Sequence, residues 1–184
     1  MVELNVAGLS MDPVSKSPIL VLRTISQKHI LPIWIGPSEA VSISLARQEI
    51  EVPRPLTHDL LLSTVEAVGY ALKSVQIVRV EEGVFYAQIE LSKESKTCLV
   101  DCRPSDAVAL ALRAQAPILA SREVMDEAGL EYPKDQHQPV AVSAGDGAIA
   151  MLAPDHDFGD LDEDSDRELS DILAGMDPES KYKM

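Results

Sequence analysis

One run of ten residues occurs twice in this chain. Gly36-Pro37-Ser38-Glu39-Ala40-Val41-Ser42-Ile43-Ser44-Leu45 is echoed, with conservative changes, by Arg103-Pro104-Ser105-Asp106-Ala107-Val108-Ala109-Leu110-Ala111-Leu112. Each copy follows an apolar, β-branched segment and opens at Pro-Ser-acid. Proline fits the first helical position because its missing N–H would find no partner there. An acid in the first turn meets the positive end of the helix dipole. The chain is therefore expected to contain two equivalent strand–turn–helix units, compatible with a pseudo-two-fold relation, within an α+β fold on a mixed sheet.

The remaining elements follow from period and punctuation. Met1 to Ala7 alternates weakly, and Gly8 to Pro18 reads as turn-rich. Ile19–Ile25 and Ile30–Ile35 form a hairpin, with Pro32 at an edge or bulge because it cannot donate to a ladder. A first helix follows Pro37, with Ala40, Ile43, Leu45 and Ile50 on its apolar face. Thr57 is expected to cap a second helix, His58 to Ala67, with Leu60, Leu61, Thr64 and Val65 at helical spacing and Gly69 at its end. Strands are predicted at Lys73–Val80, Val84–Leu91 and Thr97–Cys102, then a helix to about Gln115. A short strand at Ile118–Ala120 and a Ser121-capped helix ending at Gly129 complete the domain, residues 1–130.

Residues 131–184 differ in kind. They hold 14 acids against 4 bases, whereas residues 1–130 hold 16 against 12, so most of the net charge of −14 lies in this tail. A segment with that charge and few apolar residues cannot offset its ordering entropy, and a flexible tail is expected. Within it, 166–176 carries Leu169, Ile172, Leu173 and Met176 at helical spacing, a short amphipathic helix too short to be stable alone; it is expected to stay frayed, with docking on the domain or on a protein partner as the alternatives. The mildly acidic domain argues against tight non-specific binding of nucleic acid and leaves room for weak or local contact. No apolar run approaches the ~20 residues that span a bilayer, and the start lacks a signal-like n-region, so a cytoplasmic protein without membrane contact is expected. Cys98 and Cys102 on one strand would lie about 13 Å apart, too far for a disulfide, and read as two buried thiols.

The two Pro-Ser-acid units diverge where chemistry would need them to. Trp34 in the first corresponds to Asp101 in the second, and Gly36 to Arg103. Asp101 would be costly to bury unpaired, so an ion pair of Asp101 with Arg103, or of either with Arg113, is one reading. A site in which Asp101, Arg103, Ser105 and Asp106 converge is the other. Glu39 and Asp106 equally admit a purely local role at their helix starts. The same holds for Thr57-His58-Asp59, where His58 in a first turn would be exposed.

These residues carry a resemblance. Leu31-Pro32-Ile33-Trp34-Ile35-Gly36, Glu39-Ala40, Arg54-Pro55-Leu56-Thr57-His58-Asp59, Phe85-Tyr86-Ala87 and Asp101 with Arg103-Pro104-Ser105-Asp106-Ala107 together resemble the bifunctional nuclease family, over roughly residues 1–130. The resemblance implies an α+β domain that cleaves DNA and RNA. Phosphodiester cleavage needs an activated water, charge on the phosphoryl oxygens and a proton for the leaving oxygen. Glu39, Asp101 and Asp106, with Asp59, are candidate ligands for Mg2+ or Mn2+, and His58 is a candidate acid or base. Arg54, Arg103, Arg113 and Ser105 are candidates to hold phosphate. Two other readings use the same residues. One is a non-catalytic module that binds an anion or protein at the helix starts. The other is a homodimer or larger homo-oligomer built on exposed strand edges.

Overall fold

The computed structural model describes residues 1–12 and 14–132. The expected tail, including the amphipathic stretch 166–176, lies outside the described residues. The elements run β1 (Val2–Met11), β2 (Pro18–Thr24), β3 (His29–Trp34), α1 (Pro37–Arg47), α2 (Thr57–Ala67), β4 (Ala71–Glu81) and β5 (Val84–Lys93). They continue through β6 (Lys96–Cys102), α3 (Pro104–Ala114), β7 (Ile118–Ala120), α4 (Arg122–Ala128) and β8 (Leu130–Glu131). All eight strands form one sheet in the order β6-β5-β4-β7-β1-β2-β3-β8. β4 and β7 are parallel and the other pairs antiparallel, so the sheet is mixed as expected.

Two antiparallel meanders, β1-β2-β3 and β4-β5-β6, therefore flank β7, and each delivers its third strand into a Pro-Ser-acid helix. Both helices are eleven residues long with proline in the first turn, and their N-caps share extended backbone, Gly36 at φ −78° and Arg103 at φ −73°. Tight turns set the registers. Glu82 and Gly83 both take positive φ, 48° and 79°, the two-residue turn whose twist matches an antiparallel hairpin. Pro32 pairs with Val21 of β2 while β8 reaches only His29 and Ile30, so among the described residues no strand pairs with the other side of the proline.

The main core lies between the sheet and α1, α3 and α4, filled by Leu20, Leu22, Leu31, Ile33, Ile43, Ile77, Phe85, Val108 and Leu110 among others. Ile19, Val21, Ile30 and Trp34 form a smaller cluster on the opposite face of β2 and β3. Small residues let the helices approach closely. The buried side of α1 is Ala40, Ser42, Ile43 and Ser44, and α3, which packs against α1, buries Ala107, Ala109 and Ala111 among others.

Several local expectations are corrected. β1 continues through Gly8 and Ser10 to Met11, with a bulge between Val6 and Gly8, because pairing with β2 overrides the weak local signal. Leu45 is only half-buried and Ile50 lies beyond α1. α2 begins one residue early, its N-cap is Leu56, and Thr57 makes no capping bond. Its inward stripe is Leu62 and Val65, while Leu60 is 61% exposed and Leu61 also faces out. β6 is an exposed edge strand, so Cys98 is exposed rather than buried, and Cys102 is half-buried. Burial, with Asp106 and Asp101 nearby, raises the Cys102 thiol to about 11.

Candidate functional site

The first turns of α1, α2 and α3 converge and bring Glu39, His58, Asp59, Arg103 and Asp106 together. Arg103, at the N-cap of α3, is the hub. Its Nε donates to Asp106 Oδ2 at 2.8 Å and its Nη2 to Asp106 Oδ1 at 3.0 Å, a bidentate fork. Its Nη1 lies 2.8 Å from Glu39 Oε1. The two carboxylates at equivalent positions of the repeated motif are thus bridged by the residue that replaces Gly36 in the second copy. Gly36 has its own part in this. A Cβ there would sit 2.2 Å from Glu39 Oε2, so glycine leaves the space into which the Glu39 carboxylate folds.

Behind Asp106 stands His58. Its Nε2 lies 3.3 Å from Asp106 Oδ1, and its Nδ1 lies 2.8 Å from Ser42 Oγ on α1. The side chain is only 14% exposed, contrary to the exposed first-turn position expected. It is turned inward because residues 58, 62 and 65 share the face of α2 that packs on α3 and β4. Asp59 fastens the same turn. Its Oδ2 accepts from Leu56 N at 2.8 Å, and its Oδ1 accepts from Arg113 Nε at 2.5 Å. Arg113, 10% exposed, also donates through Nη1 to the carbonyls of Ser42 at 3.2 Å and Ala109 at 2.9 Å. It clamps α1, α2 and α3 together.

The electrostatics follow from these contacts. Burial raises the Asp106 carboxyl, but hydrogen bonds from Arg103 and His58 outweigh it and hold the group below the usual carboxylate range. Asp59 is likewise raised by burial and brought below its ordinary value by Arg113 and the Leu56 N–H. The hydrogen bond to Asp106 raises Arg103 against the opposing effect of burial, with Glu39 adding to the rise.

Other expected site residues stand apart. Asp101 is exposed on β6 and not buried, and Arg103 turns from it toward Glu39 and Asp106, so neither expected ion pair of Asp101 forms. Arg54 is exposed in the loop before α2. Ser105 is 1% exposed and its Oγ has no hydrogen-bond partner among the described residues, which places it beneath the surface that a phosphate can reach. For a divalent ion the donor set fits poorly. Glu39 Oε1 and both oxygens of Asp106 are engaged by Arg103, and Asp101 is elsewhere. Among the described residues no three His, Cys, Asp or Glu gather as a metal site. Ser42, which the sequence reading leaves out, is the additional member of the cluster.

Comparison with known proteins places this arrangement. Residues 20–133 match the bifunctional nuclease domain. The chain belongs to the bifunctional nuclease domain family. The matched range contains every residue of the cluster, begins within β2 and leaves β1 outside. An uncharacterized protein of Mycobacterium tuberculosis is 40% identical over 149 residues, covering 81% of this chain and 89% of the relative. Bifunctional nuclease 1 of Oryza sativa subsp. japonica is 30% identical over 105 residues, 55% of this chain and 32% of that protein. Bifunctional nuclease 2 of Arabidopsis thaliana is 24% identical over 123 residues, 65% of this chain and 37% of its own length. The family assignment supports a nuclease activity for this chain. No helix among the described residues is long and apolar enough to cross a membrane.

Proposed function

We propose that this domain hydrolyses phosphodiester bonds of DNA or RNA at the Glu39–Arg103–Asp106 cluster, with His58 behind it. The observation that carries the reading is the Arg103 bridge between two carboxylates. Arg103 is 55% exposed and is the outermost member, so a backbone phosphate meets it first. Guanidinium binds phosphate as well as carboxylate, through the same two-pronged geometry. When its fork turns to phosphate oxygens, Asp106 and Glu39 lose the cation that held them unreactive. Each then becomes a better proton acceptor, and each raises the other's proton affinity as a like charge.

The chemistry then needs only these groups and water. A carboxylate takes a proton from water as the water oxygen forms its bond to phosphorus. The bond from phosphorus to the leaving oxygen breaks, and the second carboxyl group, protonated beforehand, supplies that oxygen's proton. Arg103 balances charge on the phosphoryl oxygens, and the positive ends of α1 and α3 add to it. Mg2+ or Mn2+ is not needed to supply that charge, and no step here runs through a metal.

Assays of the full chain on single- and double-stranded DNA and RNA test this. Arg103→Ala and Asp106→Asn are expected to lower cleavage by about 10²-fold or more, with Asp101→Asn within about twofold of wild type. Cleavage is expected to persist in chelator. Wild-type rates in both Arg103→Ala and Asp106→Asn would sink the proposal. Loss in chelator with recovery in Mn2+ would show that an ion takes over the place of Arg103.

A further inference from the structure

Ser42 stands at the inner end of the cluster, and nothing about a serine in mid-helix announces a role in chemistry. A buried helical hydroxyl ordinarily turns back to a carbonyl of the preceding turn. On the same helix Ser44 has a plain local partner, accepting from Gln48 Nε2 at 3.0 Å. Ser42 instead places its Oγ 2.8 Å from His58 Nδ1, across the gap between α1 and α2. The contact is held at both ends. The Ser42 carbonyl accepts from Arg113, and the same Arg113 holds Asp59, the neighbour of His58. Hydroxyl and imidazole therefore meet in a fixed geometry.

We propose that Ser42 is the positioning residue of this site: it fixes the ring of His58 with Nε2 against Asp106 Oδ1 and so decides which oxygen of Asp106 is free to take a proton. The proposal rests on the reading of Asp106 as a proton acceptor. An ionised carboxylate only accepts hydrogen bonds, so Nε2, facing Asp106 Oδ1, carries the proton. A neutral ring has one N–H, so Nδ1 is then an acceptor and takes the Ser42 O–H. With that bond in place Oδ1 stays occupied by Nε2–H. When Arg103 leaves for phosphate it vacates both oxygens, but Oδ1 keeps its contact with His58, so Oδ2 is the oxygen left free. Without Ser42 the ring loses the anchor at Nδ1 and is free to turn its Nε2–H away from Oδ1. Oδ1 then loses the donor that occupies it, and the two oxygens of Asp106 are no longer distinguished. The charged groups around the ring are Asp106 and Arg103 of the α3 start, Glu39 of α1, and Asp59 with Arg113; none of them touches Nδ1.

The test has a spectroscopic and a kinetic arm, both on the full chain. The protein is labelled with 15N-histidine, and His58 is assigned by the signals lost in His58→Gln. Wild type is expected to show a His58 Nε2–H signal that exchanges slowly with water, Ser42→Ala the same signal broadened or lost by exchange, and Ser42→Thr, which keeps the hydroxyl, the wild-type pattern. Cleavage by Ser42→Ala is expected to fall about tenfold in kcat, the scale of one lost hydrogen bond, with KM within about twofold. Ser44→Ala leaves both readouts at wild type. An unchanged His58 Nε2–H signal in Ser42→Ala overturns the proposal whatever the rates do. A changed signal with wild-type kcat overturns its catalytic half. If wild type cleaves no nucleic acid, the nuclease reading fails by itself, and the Nε2–H comparison still decides what Ser42 does to His58.

Discussion

Ser105 shows how far the identity of a residue can mislead when its depth is unknown. A serine beside the acid of a Pro-Ser-acid motif reads as a phosphate ligand, yet its hydroxyl is buried and has no hydrogen-bond partner among the described residues. An unsatisfied buried hydroxyl costs about 1–3 kcal/mol. Ser105→Ala is therefore expected to stabilise the domain by about 1 kcal/mol, some 3 °C in Tm, with cleavage unchanged; a fall in Tm together with lost cleavage would return Ser105 to the site. Other residues were legible for stated reasons. Glu39 and Asp106 stand out because a repeated motif places an acid at one structural address twice. Asp101 is expected beside Arg103 by strand parity, but parity lapses at Cys102, where the strand gives way to the cap of α3. Ser42 leaves no signal, since its role exists only once α1 and α2 are side by side.

At the scale of elements, period located the helices and strands, and phase was the harder problem. In α2 the leucines at 60 and 61 suggest one face, whereas the fold buries the face of His58, Leu62 and Val65. Both stripes satisfy helical spacing, and only docking against α3 and β4 chooses between them. The edge strand β6 is a similar case, because an apolar composition does not reveal that one side of a strand lacks a neighbour. The start of α1 supports a sharper prediction. Gly36 has ordinary extended backbone, so alanine is tolerated there, but its Cβ would occupy the place of Glu39 Oε2. Gly36→Ala should push the Glu39 carboxylate off Arg103 at little cost to the fold, since an exposed ion pair is worth about 0.2–1 kcal/mol. Cleavage is expected to fall about tenfold with Tm within about 2 °C of wild type. Unaltered cleavage would remove Glu39 from the mechanism.

For the whole molecule the question is how an acidic chain approaches a polyanion. The site carries its own cation, Arg103, but the chain's net charge is −14, and residues 140–184 hold 12 acids and 3 bases of it. Charge of that size repels a phosphate backbone over roughly a Debye length, about 8–10 Å near physiological salt and about 30 Å at 0.01 M. The described residues, 1–12 and 14–132, contain the eight-stranded sheet, its core and the cluster, so removing 140–184 takes away charge and leaves every one of those residues in the chain. Truncation should therefore raise kcat/KM on nucleic acid at low salt, through faster encounter, by about tenfold. It should leave kcat alone, and the advantage should fade as salt approaches about 0.5 M. A gain that persists at high salt would mean that the segment obstructs the site by contact rather than by charge. A loss of activity on truncation would instead assign the segment a part in holding the substrate, which repulsion between like charges gives no reason to expect.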